Sequence, residues 1–334
     1  MNKNITILLL LFLTLAGGTA WYMTSEKETQ QTTLLDWDRK FKVENTDQIH
    51  KVFIANRRGE QVTLERKGDH WIYNGKYKAL PNAIDNLMRA FGEVEMSYKP
   101  ANAAVPNMVS NLATQGIKVE LYDKSGERLK SYYVGGETSD SRGTYMIMEG
   151  SEQPYIVHIP TWGGNLRARF NLRGNQWRDK TVLEAKVDDI VSVSVEYPKQ
   201  KNNSFKLEKE GNEYVVKPFY DVTPTINKAV SQGSVEGYLV NFKSIGAEAF
   251  ETDNPRRDSV TQTIPFGIIT LKKVNGEEQK IKLFPIYNDV EDATKSNEVV
   301  TYVERYFAEV NEEDFMLVQH RVFEKVLWGY NFFF

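Results

Sequence analysis

The sequence predicts an α+β protein: two tandem related domains, each a mainly antiparallel sheet with helices packed on one face, behind an N-terminal transmembrane helix. Three observations carry this expectation. One apolar run near the N-terminus has the length of a membrane span. A strand, hairpin, helix and strand-group pattern is written twice. Strands and helices do not strictly alternate, which argues against a parallel doubly wound sheet.

The first element is "MNKNITILLLLFLTLAGGTAWYM", in which Lys3 precedes an apolar run from Ile5 to Met23, 19 residues long. A helix of that length extends roughly 28 Å, close to the hydrocarbon thickness of a bilayer. Trp21 and Tyr22 end it where amphipathic rings favour the headgroup layer. The run exceeds the usual core of a signal peptide, so residues 5–23 read as a retained anchor; cleavage after Gly18-Thr19-Ala20 is the alternative. Both place the body outside the cytoplasm, on the periplasmic face of an inner membrane. Residues 24–44, rich in Thr, Gln and Glu, read as a polar tether.

Patterning then begins near Ile49, and internal comparison finds it repeated. "VTLERKGDHWIY" at 62–73 aligns with "FKLEKEGNEYVV" at 205–216 at an offset of 143, pairing Leu64 with Leu207, Gly68 with Gly211 and Trp71 with Tyr214. Upstream, Ile49, Val52 and Ile54 meet Ile190, Val193 and Val195 at an offset of 141. Downstream, "VELYDKSGE" at 119–127 meets "ITLKKVNGE" at 269–277 at an offset of 150. Alternating apolar and polar residues before a Gly-bearing turn mark strand-turn-strand units. "TYMIMEG…PYIVHI" and "VVTYVERYFAEV" follow as further strands. The domains therefore run 45–180 and 181–334.

Helices fill the gaps. Pro81 suits a first helical position, and Ile84, Leu87, Met88 and Phe91 form one apolar stripe. The counterpart has Thr223 as N-cap before Pro224, with Ile226, Ala229 and Val230 inward. A last helix is expected from about Glu312, carrying Phe315, Val318 and Val322 behind an acidic first turn.

Composition excludes several chemistries. Lys and Arg total 42 against 45 Asp and Glu, a net charge of −3, so no basic surface points to nucleic acid. Cysteine is absent, which removes disulfides, thiolate metal sites and cysteine nucleophiles. His50, His70, His158 and His320 lie in separate segments without ligand spacing, so no metal or cofactor is expected. The acidic cluster at 288–292 lacks the glycine and spacing of a calcium loop. "VGGETSDSRGTY" at 134–145 has neither a phosphate loop nor a nucleophile elbow, and no catalytic residue is assigned.

Two stretches remain as binding candidates. Thr138, Ser139, Asp140, Ser141 and Arg142 offer donors and acceptors in a glycine-framed loop. The chain closes on "KVLWGYNFFF", where Trp328, Tyr330, Phe332 and Phe334 alternate as an edge strand packed on the second domain or a tail docking on a partner. The aromatic hairpin at 62–73 reads as scaffold, because Tyr214 replaces Trp71 at the matching strand position.

"VTLERKGDHWIYNGKYKALPNAIDNLMRAF", "SNLATQGIKVELYDKSGERLKSYYVGGETSDSRGTYMIMEGSEQPYIVHIP" and "QWRDKTV" closely resemble the bacterial family called domain of unknown function 4340, over roughly residues 45–185. The resemblance implies a membrane-anchored protein near components of gliding-motility-type ABC transporters, and it supplies no catalytic residues. The expected function is thus a membrane-anchored, extracytoplasmic binding or assembly module, accessory to an envelope or transporter complex. An envelope hydrolase acting on glycan between the domains and a secreted ligand-binding protein are the alternatives.

Overall fold

The structure, a computed structural model, describes residues 37–162, 165–211, 213–291 and 299–334. The predicted anchor at 5–23 lies outside them. Among the described residues no helix is long and apolar enough to cross a membrane. Contacts divide the chain into two compact units, Met1–Asp179 and Lys180–Phe334.

In the first unit β1 (Lys51–Ala55), β2 (Gln61–Lys67), β3 (His70–Tyr73) and β4 (Tyr77–Lys78) precede helix α1 (Pro81–Glu93). Then come β5 (Glu95–Tyr98), α2 (Val105–Gln115), β6 (Ile117–Tyr122), β7 (Arg128–Glu137), β8 (Thr144–Met148), β9 (Tyr155–His158) and the single turn α3 (Arg167–Phe170). The strands form one antiparallel sheet in the order β4-β3-β2-β1-β6-β7-β8-β9-β5.

The second unit opens with β10 (Thr181–Leu183), β11 (Ile190–Glu196), β12 (Phe205–Glu210) and β13 (Glu213–Pro218). Helix α4 (Gln232–Leu239), β14 (Ile245–Gly246), β15 (Ala249–Phe250), α5 (Arg257–Thr261) and β16 (Gly267–Lys273) follow. The unit ends with β17 (Glu278–Glu291), β18 (Val299–Val310), β19 (Asp314–Gln319) and α6 (His320–Phe323). Its main sheet, also antiparallel, has the order β13-β12-β11-β16-β17-β18-β19-β15, the same succession as in the first unit apart from the edge strand β4. Corresponding residues do the same work. Ile49, Val52, Ile54 and Leu64 are buried, as are Ile190, Val193, Val195 and Leu207. Gly68 and Gly211 turn their hairpins at φ +63° and +65°, a left-handed conformation that a Cβ disfavours.

The helices do not share one face, as the sequence suggested. In the first unit α1 buries Ala83, Ile84, Leu87 and Phe91 against Val119, Tyr132, Met146 and Val157. Residues of opposite parity on the same strands, Tyr133, Tyr145, Ile147 and Ile156, meet Met108 and Leu112 of α2 on the other face. Successive strand side chains point to opposite faces, so two apolar parities require two covers. The second unit repeats this arrangement: Tyr306, Met316 and Val318 face the main core, whereas Phe284, Phe307 and Phe315 gather with Val260 of α5.

Four local expectations change. Residues Asp38–Val43 of the supposed tether belong to the first unit. Phe41 packs edge-on against Tyr132 at 5.9 Å, and the buried Asp38 accepts hydrogen bonds from Tyr155 (3.2 Å) and Ser151 (3.1 Å). The helix expected at Pro224 starts instead at Gln232, capped by Ser231, because the Thr223 hydroxyl is buried and donates to Lys201 O at 3.3 Å. The helix expected from Glu312 is strand β19, entered through a turn with Asn311 and Glu312 at positive φ; its run Phe-Met-Leu-Val serves both faces of the sheet.

The aromatic C-terminus is not an edge strand. It folds as two 3-10 turns that place Val326, Tyr330 and Phe333 in the core, where Phe333 lies 4.8 Å from the Phe205 ring. Aromatic edges meeting faces supply packing beyond the area they bury.

Candidate functional site

The structure closes the loop candidate on itself. The Thr138 hydroxyl donates to Asp140 Oδ1 at 2.5 Å and accepts from Gly143 N at 3.1 Å, while Thr138 N donates to Gly143 O at 2.9 Å. Asp140 also accepts from Arg142 N at 3.2 Å, and these bonds hold its carboxyl below the usual range. Ser139 and Ser141 lie at the exposed tip, with Ser141 at φ +56°. Behind the tip, Gly135 is required because a Cβ would fall 2.1 Å from the Tyr145 ring. Of the C-terminal candidates, Tyr330 is buried and Trp328 and Phe334 are half-buried; Phe332 alone among the four stands clear, 65% exposed.

In the second unit two strands outrun their neighbours. Strand β16 accompanies β17 only as far as the pair Gly267–Leu283. Strand β19 accompanies β18 only from Val310 to the pair Arg305–Gln319. The β17–β18 ladder nevertheless continues to Glu291 opposite Val299. Phe284–Glu291 and Val299–Glu304 therefore form a two-stranded ribbon beyond the sheet, each with one edge that no strand among the described residues pairs. Such a ribbon is marginal in water, and its unpaired backbone groups are a template for another strand. Tyr287 and Tyr302 stand out from it, 64% and 45% exposed.

At the fork where β19 leaves β18 lies a cavity of about 400 Å³ lined by Tyr302, Val303, Glu304, Arg305, Gln319, His320 and Arg321. Its frame is fixed by Glu248, whose carboxylate accepts from Arg305 Nε at 2.9 Å and Gln319 Nε2 at 3.0 Å. Arg305 first, and then Gln319, holds that carboxyl below the ordinary glutamate range. A second guanidinium nitrogen of Arg305 lies 3.0 Å from Glu304. The Tyr306 hydroxyl, pushed up to about 12 by burial, sits 2.9 Å from His320 Nδ1 and orients that ring. Arg321 donates to Gln319 Oε1 at 2.8 Å, and among the described residues no carboxylate stands at ion-pair distance from it. Arg305 occupies both acids that reach the fork, and among the described residues no group of three or more metal-ligating side chains occurs. His320, which also lines the cavity, has Glu324 3.7 Å from its Nε2.

Sequence reasoning identified β18 as a strand and missed this fork. The available signal was length. The alternating run through "IKLFPIYNDVE" outlasts its counterpart at 128–137.

Comparison with known proteins bears on the family. A family model described as domain of unknown function (DUF4340) matches residues 71–262, more than half of the chain. The chain belongs to this family. No curated protein and no solved structure matches it. The DUF4340 match begins in β3, passes the boundary between the units and ends in the loop after α5, so the ribbon and its fork lie beyond the matched residues.

Proposed function

We propose that this DUF4340 protein is a membrane-anchored extracytoplasmic binding module, made of two related α+β domains and accessory to an envelope or transporter complex. The apolar run from Ile5 to Met23 supports the anchor. The common strand order of the two sheets, with matching core and turn residues, supports duplication. The observation that carries the binding role is the ribbon: an open strand edge with a pocket lined by Arg305 and Arg321 at its base.

The test is photo-cross-linking in cells with the full-length chain. A benzophenone side chain at Tyr302 is expected to yield an adduct of defined mass with an envelope protein, absent when the probe replaces exposed Lys124. Adducts that are missing, or identical from both positions, would remove the ribbon as the binding surface.

A further inference from the structure

We infer that the ribbon's partner presents an extended strand, added to the open edge of β18, with an acidic side chain seated in the pocket at its base. This rests on the binding role proposed above and specifies the chemistry of the partner.

The direction of the added strand follows from β19. That strand runs antiparallel to β18 and stops at Gln319, opposite Arg305. Beyond it no strand among the described residues pairs with Val299–Glu304 on that side, and His320 turns at once into α6. On an antiparallel edge, alternate residues point both backbone N–H and C=O toward the vacant side. A segment continuing the line of β19 meets these groups in the register β19 has already set. Strand addition of this kind takes affinity from the main chain and specificity from side-chain pockets.

The pocket supplies the specificity. Glu248 and Glu304 face Arg305, Arg321 is near enough to act on the Glu248 carboxylate, and the Lys180 ammonium donates to the Glu248 backbone carbonyl at 2.8 Å. Glu324 lies 3.7 Å from His320 Nε2 on the far side of that ring. Arg305 is matched by its two acids, whereas Arg321 acts on Glu248 only beyond ion-pair distance, donates among the described residues to a neutral amide and keeps further N–H donors for a ligand. A guanidinium fork pairs with a carboxylate through parallel charge-assisted hydrogen bonds, which a neutral amide or a hydroxyl does not reproduce. Tyr302, beside the same lane, offers its ring to an apolar neighbour on the incoming strand.

The experiment pans a random nine-residue peptide library against the full chain in mild detergent, and in parallel against Arg321→Gln. Arg321 is exposed, so its replacement leaves the fold intact. The expected pool is rich in β-branched residues with one recurrent Asp or Glu. Changing that acid to its amide should weaken binding about tenfold to wild type and less than about twofold to Arg321→Gln. N-methylation of alternate backbone amides in the peptide should abolish binding to both. No enrichment, a pool without an acid, an acid preference unchanged in Arg321→Gln, or indifference to N-methylation each overturns the inference. Self-association of the chain through β18, detected by sedimentation, would overturn it as well. If the Tyr302 cross-link persists while panning fails, only the strand chemistry falls; if both fail, the binding role falls with it.

Discussion

The β7–β8 hairpin of the first unit and the β17–β18 hairpin of the second occupy the same position in the same strand order, yet they end in opposite ways. The first is finished by its own chain. Strand β9 pairs with Thr144–Met146 of β8, reaching Val157 opposite Thr144 at the end nearest the hairpin turn. Eight residues then separate β9 from α3, and their last member, Leu166, donates its N–H to Thr144 Oγ1 at 2.9 Å. Arg167 donates to Val134 O (3.0 Å), Gly135 O (3.2 Å) and Gln115 O (2.6 Å). In the second unit that connection is missing, since α6 follows β19 directly. The hairpin is longer and its edge stays open. A sheet satisfies its end groups internally where a connection crosses them and exposes them where it does not. A shared strand order therefore leaves room for different roles.

The comparison breaks most severely at Arg167. Its guanidinium is partly desolvated, which lowers its proton affinity, and it is satisfied by backbone carbonyls rather than by an acid. Arg167→Met keeps the length and removes every one of these donors. The expected cost is about 1–3 kcal/mol in urea unfolding of the full chain, with faster amide exchange at Gly135–Glu137. If exchange there is unchanged, another group closes the first hairpin, and the contrast between the units loses its cause.

Much of this contrast lay beyond what the sequence discloses. Period-two patterning and turn glycines located most strands, because burial on a sheet face and positive φ leave local marks at Val52, Leu64, Gly68 and their partners. Helix signals were weaker guides. Thr223-Pro224 has the residues of a cap, but a tertiary bond to Lys201 takes its hydroxyl. Phe315–Val318 is apolar at every position, which no periodicity resolves. The fork depends on where β16 and β19 stop relative to β17 and β18, a relation among distant segments that carries no motif. The loop at 138–142 closes on its own hydrogen bonds, and its turn-forming residues are of the same types that bind ligands.

Acid should separate the units by a smaller margin. On the first sheet Lys118 pairs with Glu120 (2.8 Å) and Glu149 (3.0 Å), and Arg128 approaches Glu149 at 2.8 Å. Burial pushes the Glu120 carboxyl up, but Lys118 and the Tyr122 hydroxyl outweigh it, and Lys118 lowers Glu149 as well. Both carboxyls thus sit below the ordinary glutamate value of 4.5. A depressed carboxyl stabilises the folded state above its unfolded value, and that contribution disappears as pH falls through the folded value. Protection factors along β6 and β7 should therefore fall below about pH 4.5. At the fork, Glu248 is also lowered but is open to solvent, where screening leaves an ion pair little weight. Strands β18 and β19 should lose less protection over the same range. Equal losses would mean that the Lys118 cluster adds no more stability than the exposed pair.

The smallest expected effect on stability carries the most information about role. Tyr302 stands on a ribbon whose outer edge no strand among the described residues pairs, and an exposed ring removed from such a place leaves no cavity and no unsatisfied partner. Tyr302→Ala should therefore shift unfolding by less than about 0.5 kcal/mol. Its counterpart region in the first unit behaves otherwise, because Tyr145 is buried across Gly135 and Gly136 and belongs to the cluster under α2. A tyrosine kept for packing is costly to lose; a tyrosine kept for a partner costs nothing until the partner is present. The panned acidic peptide should bind Tyr302→Ala several-fold more weakly while the urea midpoint stays in place. A large loss of stability in this variant would reassign the ribbon from recognition to the fold itself.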